Sequence, residues 1–193
     1  MMVRLQLKCF GIFFKFFLCR KVWAYDESRV GQHTISSRGW YLKGSRTGTP
    51  KQQEFESLYI LGAINTAAGE PFGLILPNVG TRPTQIFVEE LSAYLGNNRH
   101  IILLSDNAPW LRSSKLLMPS NITHVRLPPY SPELNPMENF WQNLKHGYLS
   151  NRCFDDYDDL LHSALGAWER MVAKGKDALK SLCSRFWLSL AQR

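Results

Sequence analysis

The sequence predicts an α/β fold: a mixed sheet that starts as an antiparallel meander, continues as alternating helix and strand, and is flanked by helices. Three observations carry that expectation. Apolar runs of strand length, bounded by turn residues, come first. The apolar period then switches to that of a helix over Thr84–Leu95, and stripes at helical spacing close the chain.

The elements follow in order. Val22–Ser28 is apolar and aromatic and reads as a strand. Gly39–Leu42 and Ser57–Ile64 are further strands, the latter (SLYILGAI) a continuous apolar run suited to a buried sheet position. Asn65–Glu70 is turn material around Gly69, and Phe72–Leu76 returns as another strand. In Thr84–Leu95, Phe87, Val88, Leu91, Tyr94 and Leu95 share one helix face, with Gly96 as the stop. Ile101–Leu104 is a short buried strand running out at Ser105-Asp106-Asn107. A short helix is expected over Trp110–Leu117 and a last strand at Ile122–Leu127. Pro128, Pro129, Pro132 and Pro136 make the next stretch stiff and extended. Met137, Phe140, Trp141, Leu144 and Tyr148 then form the stripe of one helix. Tyr157, Leu160, Leu161, Ala164, Leu165, Trp168, Met171 and Val172 form that of a second. Residues 176–190, with Leu179, Leu182, Cys183 and Phe186, read as a third. No repeat or low-complexity tract interrupts. The ribonuclease-H-like arrangement is one fold with this order of elements.

Composition narrows the class. Among 193 residues, 45% are hydrophobic and 20% charged, ordinary globular values that argue against a disordered or collagen-like chain. Cys9, Cys19, Cys153 and Cys183 are far apart with no C-x-x-C pair, which excludes a zinc ribbon by spacing and argues for reduced thiols. The five histidines (His33, His100, His124, His146 and His162) show no ligand spacing. Net charge is +7 and is unevenly spread: residues 1–52 carry ten Lys and Arg against Asp26 and Glu27 alone. A basic segment on a near-neutral body suits a polyanion, with nucleic acid first and an anionic membrane second. Leu5–Leu18 is rich in Phe but is broken by Lys8 and Lys15. It is shorter than the roughly 20 apolar residues that span a bilayer, and no small-x-small cleavage site follows it. It reads as an interfacial or poorly ordered leader, or as an arm that packs on a partner segment. The expected organisation is a basic, Phe-rich leader over 1–21, one domain over 22–173 and a helical tail over 174–193.

Three acids stand out by position. Asp26 lies within the first strand, Asp106 where a buried strand ends, and Glu138 at the opening of a helix. Carboxylates converging from separate rigid elements make a site for hard cations such as Mg²⁺. Each also has an ordinary explanation. Asp26 suits an edge-strand charge or a partner for Arg29, and Asp106 suits the N-cap of a following helix. Asn135-Pro136-Met137-Glu138 fits a capping box, with Asn as N-cap, Pro at N1 and Glu at N3. Asp155, Asp156, Asp158 and Asp159 bunch at the start of an amphipathic helix, where the dipole favours negative charge, and read as structural.

The strings around these acids occur in a fixed order: Y-D-E-S-R at 25–29, L-S-D-N-A-P at 104–109, and L-P-P-Y-S-P-E-L-N-P-M-E-N-F-W at 127–141. Together they resemble the catalytic domain of DDE-type transposases of the mariner superfamily, in its bacterial insertion-sequence branch, over about Val22 to Val172. The resemblance puts Asp26, Asp106 and Glu138 on the three catalytic, metal-binding acids, with 31 residues between the last two. Glu27 is set aside because it points to the opposite strand face, and Glu133 because it precedes the anchoring helix. The implied cofactor is a pair of Mg²⁺ ions, with Mn²⁺ as substitute. The implied reaction is hydrolysis at a transposon end followed by attack of the freed 3′-hydroxyl on target DNA. Relatives often carry a His after D-N-A-P, where this chain has Trp110-Leu111-Arg112. Phosphate contacts are expected from Arg29, Arg38, Lys43, Arg46 and Lys51, basic residues interleaved with Trp40 and Tyr41. Such transposases carry helix-turn-helix modules ahead of the catalytic domain, and none is read in the 25 residues before Asp26. The chain therefore reads as a catalytic half, partnered by DNA and by a second copy or a separate recognition domain, cytoplasmic and nucleoid-associated, with no membrane. The alternative is an inactive truncated remnant that binds DNA or full-length transposase and regulates it.

Overall fold

The computed structural model describes residues 22–32, 43–44, 52, 54–96 and 98–184. The expected leader over 1–21, the strand at Gly39–Leu42 and Phe186 of the tail lie outside the described residues. Five strands, β1 (Val22–Gly31), β2 (Ser57–Asn65), β3 (Glu70–Leu76), β4 (Ile101–Ser105) and β5 (Ile122–Arg126), form one sheet in the order β3-β2-β1-β4-β5. β1, β2 and β3 pair antiparallel, while β4 runs parallel to β1 and β5 parallel to β4. This is the expected mixed sheet. Helices cover both faces, so the first half of β1, Val22–Tyr25, is buried on both sides and is apolar without alternation.

The β2–β3 turn is built by Asn65, whose Oδ1 accepts the N–H groups of Ala67 and Ala68 at 3.1 and 3.0 Å. Gly69 closes it at φ 64°, in the left-handed region that glycine enters without cost. The crossover from β3 to β4 is α1 (Thr81–Leu95). It starts three residues earlier than its apolar stripe, because Pro83 in the first turn has no N–H to leave unpaired. Phe87, Val88, Leu91 and Leu95 of α1 pack with Trp23, Tyr25, Leu61, Ala63 and Leu103 of the sheet.

The other face carries α2 (Met137–Leu144), α3 (Tyr157–Val172) and α4 (Lys176–Leu182). Met137, Phe140, Trp141, Leu160, Ala164, Ala167, Met171, Leu179 and Cys183 close over Ala24, Val30, Leu58, Ile60 and Ile64. Asp156 caps α3, its Oδ1 accepting the Asp159 N–H at 2.8 Å, which accounts for the acidic run there. Among the described residues no helix is long and apolar enough to cross a membrane.

Three local expectations are corrected. The helix expected over Trp110–Leu117 is a single 3-10 turn, Pro109–Arg112. Ser113 ends it by accepting the Lys115 N–H on its own Oγ at 3.2 Å, a local bond that competes with helix propagation. The proline stretch is not extended throughout, since Pro132–Leu134 form another 3-10 turn. The α2 stripe reaches Tyr148 only as a partly buried residue packed against the core. A π-turn over Lys145–Leu149 inserts one extra residue, so the step from Leu144 is five and Leu149 is buried instead.

One row of the sheet fixes how closely these helices approach. Asp26, Gly62 and Gly73 are register partners across β1, β2 and β3. The Trp141 indole lies where a Cβ on Gly62 would be, and the Trp168 indole where one on Gly73 would be. The two rings, 6.3 Å apart, sit directly on the sheet backbone. Gly73→Ala should therefore overpack this seam and destabilise the fold by about 1–3 kcal/mol. Urea unfolding would show it as a lower midpoint at unchanged slope.

Candidate active site

β1 alternates its side chains between the two helix layers. Ala24 and Val30 face α2 and α3, and Trp23 and Tyr25 face α1. By the same alternation Asp26 faces α2, while Glu27 faces α1. Asp26 is not an edge charge, because β1 is flanked by β2 and β4, and Arg29 projects to the other face and is exposed. The parallel register pairs Val22 with Ile102 and Ala24 with Leu104. Continued two residues past the end of pairing, it brings Asp26 level with Asp106.

Asp106 caps no helix. Its Oδ1 accepts the N–H of Ala108 at 3.0 Å, an Asx turn that stops the chain and turns it aside. Among the described residues its Oδ2 makes no hydrogen bond. Glu138 arrives on the first turn of α2, and that turn is fastened by Asn135. The buried Asn135 side chain donates to the Tyr25 carbonyl at 3.2 Å and accepts the Met137 N–H at 3.1 Å. The Asn135 carbonyl accepts the Glu138 N–H at 3.3 Å. The expected capping box is not formed: the cap position is Pro136, with no side-chain cap bond, and the Asn135 oxygen takes the Met137 N–H instead. The Glu138 carboxylate does not reach back; it is exposed and makes no hydrogen bond among the described residues.

The electrostatics tie the three acids together. Burial pushes the Asp26 carboxyl well above its ordinary value of 3.8, and the negative charges of Glu27, Glu138 and Asp106 push it further. The backbone N–H of Glu27 opposes them, and the Trp141 indole donates to Asp26 Oδ2 at 3.1 Å. Three acids distant in sequence therefore share one electrostatic neighbourhood. Among the described residues no three His, Cys, Asp or Glu side chains are drawn in to the spacing that holds an ion.

Four contributors to this site were missed or misread in the sequence. Trp141 reads as part of an apolar stripe, yet its place three residues after Glu138 puts it on the same helix face. Gly62 shows its purpose only once the register sets it beside Asp26. Asn135 reads as a cap without its tie to Tyr25. Lys145, two turns after Glu138, is half-buried; burial lowers its pKa, while Glu138 and Asp26 act to raise it. Of the expected phosphate contacts, Arg29 and Lys43 are exposed. Arg38, Arg46 and Lys51 lie outside the described residues.

Comparison with known proteins gives four further findings. The family model for DDE superfamily endonucleases matches residues 21–161. An uncharacterised protein of Sinorhizobium fredii, y4pE/y4sA, is 42% identical over 114 residues, 59% of this chain and 84% of that protein. The Mos1 mariner paired-end complex with Mn is similar in fold at a TM-score of 0.69 and 18% identity. That match covers 95% of this chain, which spans 60% of the Mos1 chain. The catalytic domain of Mos1 mariner transposase matches at 0.57 and 15% identity, with 95% and 90% covered. The fold is ribonuclease-H-like, as in that domain.

Asp26 gives a pH test of this geometry. Its folded pKa lies above its unfolded one, so its stabilising contribution is complete below 3.8 and is lost as pH rises through the folded value. Metal-free Asp26→Asn should therefore be more stable than the parent at neutral pH and less dependent on pH. Thermal unfolding between pH 4 and 8 in a chelator checks both.

Proposed function

This chain belongs to the DDE superfamily endonucleases, and from that premise we propose that it is the catalytic part of a DNA transposase. Its reaction is metal-dependent hydrolysis of a phosphodiester at a transposon end, followed by transfer of the freed 3′-hydroxyl to target DNA. The observation that supports the reading is electrostatic: Asp106 at a strand end and Glu138 at a helix start act on the buried carboxyl of Asp26 in the central strand.

The donor set suits a hard divalent cation. It consists of carboxylate oxygens on rigid supports, several of them not engaged in hydrogen bonds, and their mutual repulsion is what a cation would relieve. In this proposal Asp26 and Asp106 hold two Mg²⁺ ions jointly and Glu138 completes the shell, with Mn²⁺ as substitute. Bound there, the ions would supply an activated water and charge relief on the phosphoryl oxygens. The chain's own residues do the rest. Trp141 orients Asp26, Asn135 sets the angle at which Glu138 enters, and Lys145 places a positive charge beside both acids. Arg29 and Lys43, with Arg38, Arg46 and Lys51, take the DNA backbone. The Mos1 structure with Mn at a paired end supports the choice of ion and of polyanion.

A second reading, a remnant that binds DNA or a full-length transposase and regulates it, draws on one observation. The three acids are not gathered to ligand spacing among the described residues. A supercoiled-plasmid nicking assay with Mg²⁺ or Mn²⁺, with and without a supplied recognition domain, separates the two.

On the leading reading, Asp106→Asn should lower nicking about a hundredfold or more, since even outer-shell changes at metal sites cost ten- to a hundredfold. Parental nicking by that variant would overturn the assignment. DNA affinity should fall linearly on a log–log plot against salt, and Lys43→Ala should reduce the slope by about one. Fluorescence anisotropy over a salt series measures both.

A further inference from the structure

The acid set aside in the sequence, Glu27, is bonded where the site needs a brace. Its side chain lies on the α1 side of β1, opposite to Asp26. There Glu27 Oε1 accepts two hydrogen bonds, from the Tyr25 hydroxyl at 2.8 Å and from the Trp110 indole N–H at 2.8 Å. The second bond crosses 83 residues of sequence. Trp110 belongs to the 3-10 turn that begins three residues after Asp106.

That turn has few other restraints. Ala108 and Leu111 are buried against the α1 layer, and the Leu111 N–H reaches the Ala108 carbonyl at 3.0 Å. Asn107 donates to the Leu127 carbonyl. Asp106 itself is exposed; its carboxylate accepts the Ala108 N–H, and its carbonyl accepts the Ser105 hydroxyl at 2.9 Å. Among the described residues, the Trp110–Glu27 bond is the side-chain hydrogen bond that ties the turn back to β1, the strand that carries Asp26, beside its apolar packing with Trp23 and Tyr25.

We propose that Glu27 is a positioning residue which, through the Trp110 indole, holds the Asp106 turn against β1 and so sets the Asp26–Asp106 separation. This rests on the reading that those two acids hold divalent ions. Glu27 does not bind an ion itself in this account; it acts by accepting one N–H.

The test separates a brace from a charge. Trp110→Phe keeps the ring and removes the donor. Glu27→Gln removes the charge and keeps an oxygen that accepts the indole. Glu27→Met removes the acceptor. Each is made in the full chain, with Mn²⁺ affinity read by calorimetry, and amide deuterium exchange at Ala108 and Leu111 read without metal. Trp110→Phe and Glu27→Met should weaken Mn²⁺ binding about tenfold, the scale of a lost outer-shell partner. Both should also speed exchange at those two amides. Glu27→Gln should stay within about threefold of the parent, and combining Glu27→Met with Trp110→Phe should cost no more than either alone.

Parental affinity and exchange in Trp110→Phe, with a loss in Glu27→Gln, would mean that Glu27 acts through its charge or as a ligand, and would overturn the proposal. A lower melting temperature with affinity and exchange unmoved would reduce Glu27 to core packing and overturn it equally. If Glu27→Met fails to fold, Trp110→Phe and Glu27→Gln still decide. Should the parent bind Mn²⁺ no better than Asp106→Asn, the metal reading fails instead, and metal-free exchange alone judges the brace.

Discussion

The hydrogen bond from the Trp141 indole to Asp26 is the point on which the site turns. It joins the central strand to the helix that carries Glu138, and it can form only because residue 62 has no side chain. An ideal Cβ at Gly62 would come within 2.7 Å of the indole, a distance that real contacts do not reach. The bond is of the charge-assisted kind, worth about 1.5–3 kcal/mol, and it offsets part of the cost of burying Asp26. Three residue types are thereby specified together: a glycine on β2, an indole on α2 and an acid on β1. Phe140 and Trp168 stack around the same indole and hold its plane.

Opposed to this bond is the constraint that like charges converge. A carboxyl that is buried and feels the negative charges of three other acids is a local instability, and the surrounding elements are built to contain it. Asn135 pins the start of α2 to β1 through the Tyr25 carbonyl, immediately before Asp26. The Asx turn at Asp106 leaves one carboxylate oxygen without a hydrogen bond while fixing the other. The π-turn after α2 ends that helix in the half-buried Lys145, the cation facing the cluster. Such turns recur where a regular helix would misplace a side chain.

Much of this was legible in the sequence, and particular residues show why. Val22–Ser28, Ser57–Ile64 and Ile101–Leu104 were readable as strands because burial on both faces leaves only apolar residues between turn signals. Asp26 then stood out, beside Glu27, as a charge following the apolar run V-W-A-Y. Asp106 and Glu138 were legible from where a strand stopped and a helix began. What escaped depends on neighbours far along the chain. Gly62 and Gly73 are unremarkable until the register aligns them with Asp26. The stripe after Leu144 misled because one inserted residue makes Leu149 the fully buried position and leaves Tyr148 only partly so, and periodicity cannot register a π-turn in advance. The turn at Trp110 was overextended because apolar residues suggested a helix, where Ser113 supplied a local acceptor that ends it.

The two ties that close the site, Trp141 to Asp26 and Asn135 to Tyr25, bridge 115 and 110 residues of chain. The β2–β3 hairpin closes across four turn residues. A polypeptide emerging from the ribosome can therefore complete the antiparallel half of its sheet while the acids are still unassembled. Only after Trp141 has cleared the exit tunnel can Asp26 acquire its indole and Glu138 its place. On the proposed reading, a half-made copy thus holds no finished cutting centre near the nucleic acids around it.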